Sequence, residues 1–169
     1  VFTENRSGLL HRITTMFTRR NLNIDSMTVS DSEREGLHRF TIVVQSTEDQ
    51  VRKVVLQMEK QIEVLKAFYH EREAIVHQEI ALYKVPTSAL AESREVEQLV
   101  RDHQARILTV DPDFVVVEKT GHHEETQQLL EKLKPYGVLE FVRSGRIAVT
   151  KPMKPLDQHV QEWEMMASA

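Results

Sequence analysis

The sequence contains no cysteine, and its five glycines are scattered singly. The absence of cysteine excludes disulfides, thiolate nucleophiles and thiolate metal sites. Scattered glycines provide no glycine-rich loop of the kind that cradles a phosphate. Thiol chemistry and a nucleotide-binding loop are therefore not expected.

An excess of positive charge and long apolar runs are also missing. The formal net charge is -4, so the chain has no general electrostatic attraction to nucleic acid or to anionic membranes. No apolar run approaches the ~20 residues that span a bilayer, and no signal-peptide pattern is present. We expect no nucleic-acid partner, no membrane association and a cytoplasmic location.

The chain does contain enough apolar material for two small cores. Of its 169 residues, 40% are hydrophobic and 28% are charged, as in ordinary globular proteins. One pattern of strand, helix, two strands, helix and strand occurs twice along the chain. This order predicts an α+β protein with two ferredoxin-like (βαββαβ) domains. We place the domains at residues 1–73 and 77–151, followed by a tail at 152–169.

The first copy of the pattern opens with a strand at "VFTE", part of which we expect to lie upstream of Val1. A first helix follows, with apolar residues at helical spacing: Leu9, Leu10, Ile13, Met16 and Phe17. Strands are predicted at "NLNIDSMTVS", "LHRFTIVVQ" and "EVLKAFYH". Thr47 and Gln50 predict a capping box, and apolar residues at helical spacing extend the second helix from there to Ile62.

The second copy follows the charged stretch "EREA". A strand is predicted at "EIALYKV", ended by Pro86. Val96, Leu99 and Val100 mark a helix, and "ARILTV", "DPD" and "FVVVEKTG" predict a hairpin. The last helix is stopped by Pro135 and Gly137, and "VLEFVRSGRIAVTK" supplies the final strand material. In the tail from Pro152, three apolar residues recur at helical spacing: Leu156, Val160 and Trp163.

No group of residues in the sequence makes a convincing catalytic or metal site. His122 and His123 are adjacent, so they point in different directions on a helix and form a weak ligand pair. No carboxylate stands isolated in apolar sequence, where its acidity would be tuned. The basic cluster from Arg143 to Arg146 fits a contact with an anion, a partner's acidic patch, or a charged turn at a sheet edge. We expect neither a catalytic residue nor a bound metal.

The stretch "ENRSGLLHRI", residues 4–13, has two interpretations. In the first, Ser7 caps the helix and Gly8 lets the backbone turn. In the second, the N–H groups at the same helix start bind a small anion such as an amino-acid carboxylate. The two roles are compatible, and we expect the turn to serve both.

These residues carry a resemblance to a known family. A set of residues from the first copy resembles the ligand-binding signature of ACT domains, the ferredoxin-like modules that sense amino acids: Asn5, Gly8, Leu10, Ile13, Phe17, Asn23 and Ile24. The segments "TRRNLNIDSMTVS" and "EKQIEVLKA" look more specifically like the regulatory (small) subunit of acetolactate synthase. "FVRSGRIAV" is similar to the end of that subunit's second domain. The resemblance covers roughly residues 1 to 150 and implies an ACT domain followed by an ACT-like domain.

The resemblance implies a non-catalytic subunit with no cofactor of its own. Family members bind the acetolactate synthase catalytic (large) subunit, raise its activity and confer feedback inhibition by valine in branched-chain amino-acid synthesis. Thiamine diphosphate, Mg and FAD are expected in that catalytic subunit. An alternative within the ACT superfamily is a stand-alone amino-acid-sensing regulator of transcription or of another enzyme.

The resemblance also implies a homodimer through the ACT domains, with valine bound where two of them meet. Carried over by motif, one side of the site is formed by Asn5, Gly8, Leu9 and Leu10. The other side is formed by Asn23 and Ile24 of the neighbouring chain. His11 stands where many family members carry a smaller residue, which bears on the choice of effector.

Overall fold

The computed structural model describes residues 1–91, 94–151, 159–161 and 164–165. The chain divides into two compact units. The first unit is Val1–Val76 together with the described residues from Ala148 onward, and the second is His77–Ile147. The sequence-based boundaries at 1–73, 77–151 and 152–169 stay a prediction.

The first unit has the βαββαβ order. Its elements are β1 (Phe2–Glu4), α1 (Leu9–Thr18), β2 (Ile24–Asp31), β3 (Leu37–Val44), α2 (Glu48–Met58) and β4 (Val64–Lys66). The strands lie in the order β2-β3-β1-β4, and every pair is antiparallel. This confirms the ferredoxin-like arrangement predicted for the first copy, and it leaves β2 as an edge strand.

The core of the first unit lies between the two helices and one face of this sheet. Leu9, Ile13, Met16 and Phe17 recur at the helical period, so α1 buries them together. They pack in one cluster with residues of α2, β3 and β4: Val54, Val55, Met58, Phe40 and Val64. This cluster fixes the position of α1, and therefore of the turn that precedes it.

Two predictions for α2 are wrong. Thr47 is its N-cap, but the Thr47 side chain makes no cap hydrogen bond, and Ser46 Oγ instead donates to Gln50 Oε1 at 2.5 Å. The helix ends at Met58, four residues before Ile62, whose side chain is 87% exposed. The chain turns back through residues 59–63 to enter β4, where the Val64 N–H donates to the Gln61 carbonyl at 3.1 Å. The helical spacing of apolar residues therefore continues in the sequence beyond the last residue of the helix.

The second unit repeats the arrangement after a short 3-10 helix at Arg72–Ala74. Its elements are β5 (Ile75–Pro86), α3 (Ser88–Ala91), α4 (Arg94–Asp102), β6 (Arg106–Val110), β7 (Phe114–Gly121), α5 (His123–Leu133) and β8 (Glu140–Arg143). β5 begins two residues before the unit boundary, and β9 (Ile147–Thr150) begins at the last residue of the unit. The strand order is β6-β7-β5-β8, and β9 also pairs with β5. This order matches that of the first unit, which confirms the second ferredoxin-like copy. As predicted, α5 stops before Pro135, and Gly137 follows at φ 82°.

Tyr83 is central to the core of the second unit. It is fully buried on β5, and its hydroxyl donates to the Thr126 carbonyl of α5 at 2.6 Å. Burial raises the pKa of Tyr83 to about 12, because loss of solvation disfavours the phenolate. Leu129 and Leu133 of α5 are also fully buried in this cluster. Together they hold α5 against the sheet.

Part of the predicted tail helix lies within the described residues. Residues 159–161 and 164–165 are helical, and Val160 is 3% exposed in a cluster with Phe2 and Leu65. Pro152, Leu156 and Trp163 lie outside the described residues. The tail contact with β1 and β4 could not be read from the sequence, because a single helical period does not identify what it packs against.

Candidate functional site

The turn between β1 and α1 is held by backbone hydrogen bonds to two other segments of the first unit. The Glu4 N–H donates to the Glu63 carbonyl at 2.9 Å, and the Asn5 N–H donates to the Gly36 carbonyl at 3.1 Å. The Leu9 N–H donates back to the Arg6 carbonyl at 3.3 Å. The turn is therefore fixed at both ends before any ligand binds.

Gly8, and not Ser7, is the N-cap of α1. Gly8 has φ 83° and ψ -8°, and no side chain makes a cap hydrogen bond. The expectation that Ser7 caps the helix is therefore wrong. A capping side chain belongs to the N-cap residue itself, which here is a glycine in the left-handed region that side chains disfavour. The Arg12 N–H donates to the Gly8 carbonyl at 3.2 Å and starts the helical ladder.

This helix start has the properties of a carboxylate-binding site. The first N–H groups of an α-helix have no carbonyl partner within the helix, and the helix dipole makes this end positive. An N-cap without a side chain leaves that positive end uncovered. Nothing lies within 4 Å of the point where a Cβ on Gly8 would stand, so there is open space beside it.

The two arginines beside this turn are already paired. Arg6 Nε lies 2.7 Å from Glu4 Oε2, and Arg12 Nη2 lies 2.6 Å from Glu63 Oε1. The hydrogen bond from Arg12 lowers the pKa of Glu63 below its usual value, which keeps this carboxylate ionised. Both guanidinium groups therefore already have a carboxylate partner.

Leu9 and Leu10 lie on different faces of α1. Leu9 is 1% exposed and belongs to the core, so only its backbone borders the turn. Leu10 is 49% exposed, next to Gly8 on the solvent side of the helix. Asn5 is also exposed. The turn thus offers an amide side chain, a bare helix start and an apolar side chain within six residues.

Asn23 and Ile24 lie at the other end of α1. Asn23 is exposed, and Ile24 is the first residue of the edge strand β2. The ten residues of α1 separate them from Gly8, a helix length of about 15 Å. The six predicted residues therefore form two separate groups in a single chain.

Comparison with known proteins assigns both halves of the chain. The family model described as "AHAS small subunit-like ACT domain" matches residues 1–66. The family model described as "Small subunit of acetolactate synthase" matches residues 78–152. The acetolactate synthase small subunit of Bacillus subtilis is 40% identical over 148 residues, which are 87% of this chain and 86% of that protein.

The chain belongs to the acetolactate synthase small-subunit family.

A second small-subunit relative and a solved structure agree with this assignment. The probable acetolactate synthase small subunit of Methanothermobacter thermautotrophicus is 34% identical over 148 residues and 88% of each chain. The crystal structure of the small subunit from Thermotoga maritima superposes with a TM-score of 0.80 at 28% identity, over 90% of this chain and 95% of that one. The match extends through both ferredoxin-like units, as the resemblance in the sequence predicted.

Outside the first helix start, this small-subunit chain contains a polar cluster that sequence reasoning missed. Glu79 and Lys119 are 6% and 7% exposed, although no carboxylate was expected to be isolated in apolar sequence. The period of two along β5 could have revealed the burial of Glu79. Glu79 lies on the same inward face as Ala81, Tyr83 and Val85, so this period predicts that its charge is buried.

No metal centre or membrane span is found among the described residues of this small subunit. In the described ranges, no group of three or more His, Asp or Glu side chains is placed to hold a metal ion. His122 Nδ1 instead lies 3.2 Å from His77 Nε2, and His123 Nδ1 lies 3.3 Å from Glu79 Oε2. No helix within the described part of the chain is long and apolar enough to cross a membrane.

Proposed function

We propose that this small subunit activates the thiamine-diphosphate-dependent acetolactate synthase catalytic subunit and confers feedback inhibition by valine. The observation that carries the proposal is the α1 start at Gly8, which has no capping side chain, in a chain of this family. A carboxylate placed there accepts hydrogen bonds from backbone N–H groups and interacts favourably with the helix dipole.

The residues around the turn suit the remaining parts of valine. The side-chain oxygens of Asn5 and Asn23 accept hydrogen bonds from its ammonium group. Leu10 and Ile24 enclose the isopropyl group, and the 49% exposure of Leu10 means that this side chain is available in the single chain. Valine therefore finds a carboxylate site, an amine site and an apolar enclosure.

The two groups of residues meet only if two chains share the site. β2 is an edge strand with unpaired backbone groups along one side, which is where a second sheet can add. If two copies pair β2 with β2 antiparallel, a two-fold axis relates them. The α1 start of one chain then lies on the side of the partner's β2 start. We therefore propose a homodimer through the ACT domains, with Asn5, Gly8, Leu9 and Leu10 facing the partner's Asn23 and Ile24.

A site between two chains gives valine a means of regulation. Its occupancy favours one dimer geometry over another, and a catalytic subunit that prefers a particular geometry senses the difference. Catalysis, thiamine diphosphate, Mg and FAD belong to the catalytic subunit in this proposal. The present chain supplies sensing and activation only.

Reconstitution tests the proposed function. The purified chain is added to the catalytic subunit with thiamine diphosphate, Mg and FAD, and acetolactate formation is measured with and without valine. We expect the rate to rise on addition of the small subunit and to fall when valine is added. The small subunit alone should form no acetolactate. An unchanged rate, or turnover of pyruvate by the small subunit alone, would contradict the proposal.

A further inference from the structure

A cluster of charged residues lies between the sheet and α5 in the second unit. The sheet pairs Ala81 of β5 with Lys119 of β7 on one side and with Arg143 of β8 on the other. Because paired residues point to the same face, the long side chains of Lys119 and Arg143 flank the small Ala81. Glu79 is two residues before Ala81 and shares this face. Arg146 lies in the turn between β8 and β9. We call these four residues the Arg143–Arg146 cluster: Glu79, Lys119, Arg143 and Arg146.

Glu79 is the common neighbour of both arginines, but it makes a hydrogen bond to neither. Its Oε2 lies 3.8 Å from Arg143 Nε, and its Oε1 lies 3.7 Å from Arg146 Nη2. These separations exceed the usual 2.7–3.2 Å of a nitrogen–oxygen hydrogen bond. Arg143 donates instead to Gln127 Oε1 at 2.8 Å and to His123 Nδ1 at 3.0 Å.

The cluster leaves buried donors unsatisfied. The Nε atoms of Arg143 and Arg146 are both buried without a hydrogen-bond partner. Lys119 is 7% exposed and forms no ion pair with any residue that the structure describes. Buried polar groups are satisfied in most native structures, so orphaned donors at one place indicate a missing acceptor.

Positive charge also exceeds negative charge in this cluster. Lys119, Arg143 and Arg146 provide three cations, and Glu79 lies within 4 Å of both arginines. Glu125 is close to Lys119 across Gly121, but its carboxylate already accepts the His122 N–H at 2.6 Å. Even with Glu125 included, cations outnumber carboxylates. Lys119 is buried and the two arginines are partly buried, and an excess of cations shielded from water is costly unless an anion accompanies it.

We propose that the Arg143–Arg146 cluster binds one tetrahedral oxyanion of the phosphate class. Guanidinium groups present parallel N–H donors that match the oxygens of such an anion, and a lysine adds a point charge. The oxyanion supplies the acceptors that the two Nε atoms lack and balances the excess of positive charge. This site is separate from the helix start at Gly8 and does not depend on the valine proposal.

The test uses the full chain and inorganic phosphate, without the catalytic subunit. Phosphate binding is measured by calorimetry, and thermal unfolding is followed in phosphate, acetate and chloride at equal ionic strength. We expect saturable phosphate binding and a larger rise in the unfolding midpoint with phosphate than with acetate or chloride. Equal midpoints in the three salts would overturn the proposal.

Arg146→Gln and Arg106→Gln form a matched pair of variants. Both remove one guanidinium from the second unit, but Arg106 lies on β6 and pairs with Glu118 at 2.6 Å, outside the cluster. We expect Arg146→Gln to weaken phosphate binding at least about tenfold, as the loss of a charge-assisted bidentate contact does. Arg106→Gln should change it less than about twofold. Equal losses in both variants would show a general charge effect and overturn the site.

Glu79→Gln gives a result of opposite sign. Removing this carboxylate increases the excess of positive charge, so phosphate should bind more tightly than to the native chain. A residue that only stabilised the fold would not improve anion binding when replaced. If Arg146→Gln fails to fold, Lys119→Gln takes its place, with the same expected loss. Unchanged or weaker phosphate binding in a folded Glu79→Gln variant would overturn the proposal.

Discussion

Replacing Gly8 with aspartate should abolish valine inhibition of the reconstituted complex and leave its activation intact. The new carboxylate would stand at the same positive helix start that the effector's carboxylate needs, so charge repulsion and lost space both oppose binding. Allosteric couplings are ~1–3 kcal/mol, so a penalty of that order removes inhibition at ordinary valine concentrations. Inhibition is measured by titrating valine against acetolactate formation.

Gly8→Asn is the matched control for this variant. Gly8 has φ 83°, so any side chain there introduces backbone strain, but asparagine and aspartate tolerate this region better than most residues. The two have nearly the same shape and differ in charge, and there is open space around the Cβ that either would add. We expect Gly8→Asn to keep much of the inhibition that Gly8→Asp loses. Equal valine inhibition in Gly8→Asp and the native chain would place the effector elsewhere.

Two variants that each abolish valine binding should restore one site when they are combined in a mixed dimer. Gly8→Asp blocks the carboxylate side, and Asn23→Lys places a positive charge against the effector's ammonium group. A shared dimer has two sites, and each takes Gly8 from one chain and Asn23 from the other. With one variant on each chain, one of these sites contains both substitutions and the other contains neither. Calorimetry on dimers purified through two different tags should therefore give one valine per dimer.

The same two substitutions on one chain provide the control. If a chain with both changes pairs with a native chain, each shared site contains one change, and no valine should bind. A site within a single chain predicts the reverse: no binding in the first dimer and one valine in the second. Binding in the second dimer alone would therefore contradict the shared site.

The fold was predictable because apolar periodicity decides it. The α1 stripe from Leu9 to Phe17 is a buried face. Phe40 of β3 is buried, and Ile42 and Val44 pack partly buried against the same core. Both units also have the predicted ferredoxin-like arrangement. The end of α2 was not predictable from the same signal, since Ile62 continues the helical period but lies in the turn to β4. Apolar spacing identifies the face of a helix better than its last residue.

The details of the polar sites were less predictable. Serine is a residue type that commonly caps helices, which favoured Ser7 as the N-cap. The left-handed backbone at Gly8 instead shifts the cap by one residue, and only the dihedral angles reveal this. The basic residues Arg143 and Arg146 stand close together in the sequence, whereas their neighbours Glu79 and Lys119 come from other strands. Strand pairing brings them together, and a single sequence does not give that register.

The most direct test of the central claim is the amide resonance of Gly8 during a valine titration. The sequence has only five glycines, so selective ¹⁵N-glycine labelling gives five backbone signals, and the signal lost in Gly8→Asn assigns Gly8. If the Gly8 N–H helps to hold the effector's carboxylate, its proton signal should move downfield and saturate over the range in which valine inhibits the complex. The glycines of the second unit, Gly121, Gly137 and Gly145, should stay in place. Saturation of inhibition by valine with no movement of the Gly8 signal would contradict the account.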